Sequence, residues 1–428
     1  MIATKNKGIS FIANRYLLKQ KSFEATIAKP VSEDLWVSIV IPCYDESNLS
    51  LTLDSIADCD KFNGVVEVIV VINHSIEESR EIIEQNEKSL AVVREYEKKY
   101  YEGSLRFHCI KAFDMKPKAA GVGLARKIGM DEAVYRFSNI NRDGLIVCLD
   151  GDCLVERNYL NVLTQYAQQN EYDVLHIKYE HQQDQNEILN EGIIAYECFL
   201  LYYELALKWC GYPYATQTVG SCICVKPSAY IKAGGMNKRK AGEDFYFMQK
   251  LMPFCNFKDI FETTVYPSAR ISNRVPFGTG KAQNKFISEI NNTTKFKTYN
   301  FTAFQFINHF FKLLPILYNS IECKSLSSEI DIPDIIIEYV NKEILLSNIL
   351  SIKKNVESFD KFTKRFFTSS WDAFNIMKLL HYCRDNRYPD EDIHTCLNRL
   401  NSVLKIGFKE TDLLIEKLNA MRSFKAEH

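Results

Sequence analysis

Two aspartates separated by a single glycine close an apolar run: Leu145 to Asp152 reads LIVCLDGD. Side chains two apart on an extended backbone point the same way, so Asp150 and Asp152 can converge on one face, and Gly151 lets a ligand approach the backbone. Two hard oxygen donors with few others beside them suit a Mg2+ or Mn2+ ion that fills its shell with water and phosphate oxygens. A solvated Asp-Gly turn is the alternative this segment leaves open. A second run, Val37 to Glu46 (VSIVIPCYDE), ends at Pro42 and delivers Tyr44, Asp45 and Glu46 beyond a strand's carboxyl end, where ligands collect in open α/β sheets. Taken alone, its acidic pair is equally a turn and the start of a helix. A third place, Gly242-Glu243-Asp244, opens a stretch carrying Phe245, Phe247, Met248 and Leu251. Asp244 acts as a general base if burial or a second carboxylate raises its proton affinity against the helix dipole, which lowers it.

These carboxylates need a scaffold, and the chain between Trp36 and Pro267 alternates short β-branched runs with longer amphipathic stretches, the pattern of a mostly parallel sheet covered by helices. Strands are expected at Val37 to Ile41, Glu67 to Ile72, Leu105 to Ile110, Leu145 to Leu149, Asp173 to Ile177, Val219 to Val225 and Ile260 to Val265. The clearest helix runs from Ala119 to Phe137, where Val122, Ala125, Ile128, Gly129, Ala133 and Phe137 recur at spacings of three and four. After Ser268 no Val-rich run returns, and Asp334 to Leu350, Asp372 to Cys383 and Glu391 to Ile406 read as helices. The predicted organisation is a basic arm over residues 1–30, an α/β catalytic domain over 31–285 and an all-helical domain over 286–428.

Composition excludes several classes. With 46% apolar and 25% charged residues the chain reads as an ordinary globular protein, and 53 Lys plus Arg against 54 Asp plus Glu give no global sign of a nucleic-acid binder. Thirteen cysteines lie scattered without a CxxC pair, against a zinc ribbon or a thioredoxin-type motif. Cys222 and Cys224 read as small core residues. Basic residues interrupt the first 30 positions, so no signal peptide is read there, and no apolar run reaches the length of a spanning helix. The expectation is a cytoplasmic protein. The arm's Phe11, Ile12, Tyr16, Leu17, Leu18 and Phe23 among six basic side chains also fit a peripheral helix at the inner membrane face, beside the plainer reading of an arm packed on its own protein.

In order along the chain, these segments resemble the family 2 nucleotide-sugar glycosyltransferases of the GT-A fold. VSIVIPCYDE is similar to that family's opening strand and turn, and KAAGVGLARKIGMDEA (Lys118 to Ala133) to its Ala-Arg-Asn-x-Gly helix. LIVCLDGD is similar to its DxD metal site, TVGSCICVKPSAYIKAGG to the strand and helix before its acceptor loop, and AGGMNKRKAGEDFYFMQKL to that loop and the ED helix. The resemblance covers Val37 to Phe277. It implies that Pro42, Tyr44 and Glu46 flank a nucleoside and Arg126 lies near the donor. Asp150 and Asp152 would hold the nucleotide and the divalent cation, and Asp244, with Glu243 beside it, would deprotonate the acceptor. The implied reaction is transfer of one sugar of hexosyl type from a nucleoside diphosphate donor to a glycan, lipid-linked or small-molecule acceptor in polysaccharide biosynthesis, with inversion.

The sequence departs from that family's pattern in places. VVINHS puts Asn73 where aspartates commonly contact the nucleobase or ribose; its amide can still hydrogen-bond either. Lys127 replaces the usual Asn, and no QxxRW follows Glu243 and Asp244, which argues against a processive synthase. Downstream, Arg270 and Arg274 in YPSARISNRVPFGTG could clamp a diphosphate, or sit in a solvated loop. His74, His108 and His176 read as structural. The aromatic-rich stretch Phe296 to Tyr318 reads as a helix buried against the catalytic domain. A retaining transferase making a small glycosylated solute and a catalytically silent scaffold in a polysaccharide assembly complex are the competing readings; the sequence leaves the oligomeric state open.

Overall fold

The structure, a computed structural model, describes residues 8–20, 23–184, 186–271, 278–290, 296–321 and 330–428. By their contacts the residues group into two units that are not consecutive stretches: 1–183 with 218–269 and 273–277, and 184–217 with 270–272 and 278–428. The sequence suggests cuts at 30 and 285 instead; the observed grouping keeps the arm with the sheet and gives a helix from mid-chain to the second unit.

The first unit is built on strands β1 (Leu35–Cys43), β2 (Val65–Ser75), β3 (Leu105–Met115), β4 (Leu145–Cys148), β5 (Leu154–Val155), β6 (Val174–Tyr179), β7 (Ile223–Val225) and β8 (Phe257–Tyr266), in the order β3-β2-β1-β4-β7-β6-β8-β5. Helices α1 (Ile9–Leu17), α2 (Leu49–Ala57), α3 (Arg80–Lys99), α4 (Val122–Asn139), α5 (Tyr159–Gln169), α7 (Pro227–Lys232) and α8 (Glu243–Leu251) belong to the same unit. The sheet is mixed. β1 runs parallel to both β2 and β4, while β7 runs antiparallel to β4 and β6. This is the α/β layering expected of the GT-A fold. Because β1 has β2 on one side and β4 on the other, the three carboxyl ends lie at one edge and the order of strands reverses there, which is where an open α/β sheet leaves a crevice.

Helix α4 lies against this edge-forming trio. A Cβ on Gly129 would stand 2.4 Å from Val40 Cγ1 and 3.0 Å from Val71 Cγ2, so only glycine lets the helix approach β1 and β2 so closely. The helix carries charge into the core as well as methyl groups. Arg136 donates from Nε (2.5 Å) and Nη2 (2.6 Å) to the two oxygens of Glu67, in the middle of β2, and both side chains are at most 1% exposed. Burial raises the Glu67 pKa, but the Arg136 bonds, with the His108 ring 3.7 Å away, outweigh it and hold the carboxyl at about 2. Lys127 Nζ donates to Asp131 Oδ2 (2.8 Å) and to the Tyr16 hydroxyl (2.9 Å); the Tyr16 and Tyr230 hydroxyls donate to Asp131 Oδ1 at 2.8 Å each.

Tyr16 lies on α1, so this network seats the arm. Ala13 and Leu17 join the core, and the Thr26 and Ile27 amides donate to Glu132. The apolar side of α1 therefore faces its own protein, leaving Phe11 and Leu18 exposed. Among the described residues, no helix is long and apolar enough to cross a membrane.

One strand expectation needs correction, and one strand was not expected. Val219 to Val225 is not one strand: Gly220–Cys222 forms a 3-10 turn and only Ile223–Val225 pairs. Leu154–Val155, too short for a periodic signal, pairs with β8. Cys222 and Cys224 are fully buried, as expected of core residues.

The second unit holds α6 (Glu187–Trp209), α9 (Thr279–Ile290), α10 (Phe301–Lys312), α11 (Leu314–Ser320), α12 (Asp334–Val340), α13 (Lys342–Lys354), α14 (Phe359–Ser369), α15 (Ala373–Asn386), α16 (Ile393–Leu404) and α17 (Leu414–Glu427). A two-residue ladder joins β9 (Lys297–Thr298) to β10 (Glu391–Asp392). The expected helix from Asp334 to Leu350 is broken at Asn341, whose φ of 63° ends α12 and whose side chain accepts from the Glu343 amide to cap α13. The aromatic stretch from Phe296 is likewise two helices, and it is buried within the helical unit: Phe310 lies 4.8 Å from the Trp371 ring and Phe311 lies 4.9 Å from Phe367.

The Glu67 to Arg136 pair yields a direct test. Glu67→Gln leaves the guanidinium buried without a counter-charge and is expected to cost about 3–5 kcal/mol in urea unfolding, whereas Glu67→Leu with Arg136→Met recovers most of the loss. Because folding depresses this carboxyl, its contribution is present above the unfolded value of 4.5 and disappears as pH falls through about 2.

Candidate functional site

The parallel trio brings three sequence segments to one edge. Beyond β1 the chain turns with Asp45 at a φ of 49°, and its amide donates to Asn86 Oδ1 (2.9 Å). The Asn86 amide in turn donates to the Asn73 carbonyl at the end of β2 (3.3 Å), so one fully buried side chain of α3 ties the two strand ends together. Gln85 and Ser89, on the same helix, donate to the Glu46 carbonyl at 3.0 and 3.1 Å. Pro42 and Tyr44 are half-buried in this turn, and Glu46 and Asn73 are buried, each 4% exposed.

The Asp150-Gly151-Asp152 turn packs against it. A Cβ on Gly151 would touch Glu46 Cγ at 3.5 Å and the Pro42 carbonyl at 3.6 Å, and Thr52 of α2 donates to the Gly151 carbonyl at 2.9 Å. From the other side, Gln182 donates to the Asp152 carbonyl (3.0 Å) and the Tyr266 carbonyl (2.7 Å). The turn is thus fixed by its backbone, while the Asp150 carboxyl stays 37% exposed.

Arg126, one turn into α4, connects this place with the third segment. Its guanidinium is 3% exposed, with Nη2 donating to Asp150 Oδ1 and Nη1 donating to Glu243 Oε1 at 2.6 Å. Burial disfavours its charge, but Asp150 and Glu243 outweigh burial and raise its pKa. The guanidinium rests on Gly220, where a Cβ would lie 2.4 Å from Nη1 and 2.6 Å from Nη2.

Glu243 and Asp244 begin α8 after Gly242, which takes a φ of 69°. Glu243 is spent on Arg126, with a side chain 4% exposed. Asp244 is half-buried; burial first, then the neighbouring Glu243 charge, pushes its pKa up to about 7, against the opposing pull of Arg126. The loop before α8 is held by Asn237, whose amide donates to the Glu243 carbonyl (2.9 Å) and whose oxygen accepts from the Arg239 amide (3.1 Å).

The edge therefore gathers Pro42, Tyr44, Glu46, Asn73, Arg126, Asp150, Asp152, Glu243 and Asp244 in one unit. Arg270 groups with the helical unit, and Arg274 lies outside the described residues. The expected metal pair can be tested by its donor set. Among the described residues no cluster of three or more His, Cys, Asp or Glu side chains is positioned around a point. Two carboxylates, one of them substantially exposed, still fit a Mg2+ or Mn2+ ion that draws its remaining ligands from water and a diphosphate. Asn86, Gly220 and Asn237 were not anticipated. Gly220 carried a signal, since a lone glycine in an apolar run marks a close approach.

Comparison with known proteins finds one family match and several structural likenesses. Residues 34–207 match the family model described as glycosyltransferase-like family 2. No curated protein matches the sequence. Among solved structures the chain is similar to S. aureus TarS 1–349 in complex with UDP-GlcNAc, at 14% identity and a TM-score of 0.40, covering 82% of this chain and 92% of that one. Against TarS 1–349 without that complex the values are 14% and 0.39, over 87% and 92%. Against its UDP complex they are 14% and 0.38, over 87% and 92%.

The seat of Arg126 gives a thermodynamic cycle. Gly220→Ala is expected to cost about 1–3 kcal/mol in chemical unfolding through its clash with a guanidinium held at both ends. Added to Arg126→Ala, the same alanine is expected to cost little more, since the group it strikes is gone.

Proposed function

We propose that the chain, whose residues 34–207 match the glycosyltransferase-like family 2 model, transfers a single sugar from a nucleoside diphosphate donor to an acceptor hydroxyl, with inversion, in glycan biosynthesis. The observation that carries this reading is the convergence of two kinds of carboxylate at one sheet edge. Asp150 and Asp152 stand at the end of β4, and Asp244, with its pKa near 7, stands at the start of α8.

Asp150 and Asp152 would hold a Mg2+ or Mn2+ ion. That ion supplies neutralisation of the charge that gathers on the departing diphosphate. The protein's own groups do the rest. The turn of Pro42, Tyr44 and Glu46, braced by Asn86, lies beside Asn73 and flanks the nucleoside, whose base or ribose the Asn73 amide meets. Asp244 accepts the acceptor's hydroxyl proton as its oxygen bonds to the anomeric carbon; the bond from that carbon to the diphosphate breaks on the opposite face and its electron pair leaves with the phosphate. A carboxyl with a pKa of about 7 is basic enough for this task and still largely ionised above neutrality. Glu243 takes no part in that proton transfer. It is a positioning residue that fixes Arg126 and, through its charge, raises the basicity of Asp244.

Two measurements test the reading. Calorimetric titration with UDP, GDP, CDP and dTDP, with and without Mn2+, is expected to show metal-dependent binding of one of them, abolished in Asp152→Asn. Failure of all four to bind folded protein would leave a silent scaffold as the better description. In a transfer assay the rate is expected to rise with pH through about 7, because Asp244 must lose its proton to act. Glu243→Gln removes the adjacent negative charge, so the rise moves to lower pH; an unmoved profile would remove Asp244 from the role of base.

A further inference from the structure

The chain as a whole is nearly neutral, with a formal charge of −1, yet basic side chains gather on one surface beside the candidate site. Residues 114–121 and 236–242 contain Lys116, Lys118, Lys238, Arg239 and Lys240 against one acidic residue, Asp114. All five basic side chains are exposed, and none pairs with a carboxylate among the described residues. The two segments are neighbours: a Cβ on Gly121 would lie 3.1 Å from Lys240 Cγ, and one on Gly123 would lie 2.3 Å from the Arg239 carbonyl. Lys116 opens the turn that leads into Gly121, its carbonyl accepting from the Ala119 and Ala120 amides at 2.8 and 3.0 Å.

The surface is also tied to the chemistry. The 237–240 loop is held by Asn237 to the first residue of α8, next to Asp244, and the other segment runs directly into the helix that carries Arg126. Arg239 lies over the Tyr246 ring of α8 at 3.8 Å, which fixes a guanidinium beside a flat aromatic face. Whatever binds these cations is thereby delivered to the side of the site where the proton acceptor stands. A membrane-binding surface would interleave exposed apolar residues with its cations. The exposed large hydrophobic side chains include none from either segment.

We propose that this surface docks the acceptor, and that the acceptor is a polyanionic glycan with phosphate or carboxylate groups along its chain. The proposal rests on the transferase reading and gives it a substrate class. Repeated cations on two adjoining segments suit repeated anions on one polymer, and long-range attraction would steer such a chain towards the site.

The test uses the full chain and its Lys116→Ala/Lys118→Ala/Lys238→Ala/Lys240→Ala variant, titrated calorimetrically with dextran sulfate and with neutral dextran of the same length. The wild type is expected to bind dextran sulfate and not dextran, more weakly as salt is raised, with residues 237–246 protected from hydrogen exchange in the complex. In the variant that affinity is expected to fall roughly tenfold or more, while nucleotide binding with Mn2+ is unchanged. Equal dextran sulfate binding by both proteins, or equal binding of neutral dextran, overturns the proposal. So does tighter binding to phosphatidylglycerol vesicles than to dextran sulfate, which would make the surface a membrane contact. Nucleotide binding missing from both proteins strikes instead at the transferase reading, and at the acceptor role with it, so the two failures are told apart.

Discussion

A single guanidinium, that of Arg126, sits between carboxylates from two distant parts of the chain, and the site's geometry hangs on it. A buried cation with one partner removed is costly by several kcal/mol, so Asp150 and Glu243 are each held where they are by the need to keep it paired. The constraint reaches outward from there. Glu243 can meet Arg126 because Gly242 adopts a left-handed φ at the start of α8, and the guanidinium fits because position 220 has no side chain. Asp244 stands next to this knot without sharing in it. Its proton affinity is set by a balance among burial, the neighbouring Glu243 and Arg126.

Helix α4 has unusual demands for an element buried on nearly every side. Its polar residues Arg126, Lys127, Asp131, Glu132 and Arg136 are all buried, and each has a named partner: Asp150 and Glu243, Tyr16, Tyr230, the amides of Thr26 and Ile27, or Glu67. Pairs of this kind add little net stability compared with well-packed apolar groups, but they penalise any register in which the partners miss. Lys127, where the resembled glycosyltransferase pattern has Asn, is explained this way. It bridges Asp131 and Tyr16, and so helps to hold the amino-terminal arm.

Much of this was legible in the residues. The strand ends that carry Pro42, Asn73 and Asp150 follow from β-branched runs stopped by polar turns, and parallel pairing puts them at one edge. The acidic pair at Gly242 could be placed at a helix start, and burial or a second carboxylate could be named as what raises the Asp244 pKa, but the contact that holds that second carboxylate in place could not. That contact joins residues 117 positions apart, Arg126 and Glu243, and no local pattern encodes it. Asn86 was invisible for a related reason: it is one polar residue on a long polar helix, and only the fold turns it inward. Gly220 was read as part of a strand because apolar runs do not distinguish a strand from a 3-10 turn that leads into one. The apolar periodicity runs on across Asn341, which hides the break there, although Asn visits positive φ more readily than most residues and here caps the next helix.

The grouping of residues into units has a bearing on synthesis. The chain leaves the sheet unit at Asp184 and comes back only at Thr218, and β7 and β8, which finish the sheet, lie after that excursion. On a ribosome, β1 to β4 emerge first, with the far edge of β4 uncovered until β7 arrives. An open edge of this kind invites pairing with the wrong partner. Nascent chains of this protein should therefore pass through a window of chaperone dependence that closes when the β7 segment clears the exit tunnel, and a ribosome stalled within α6 would hold them inside it.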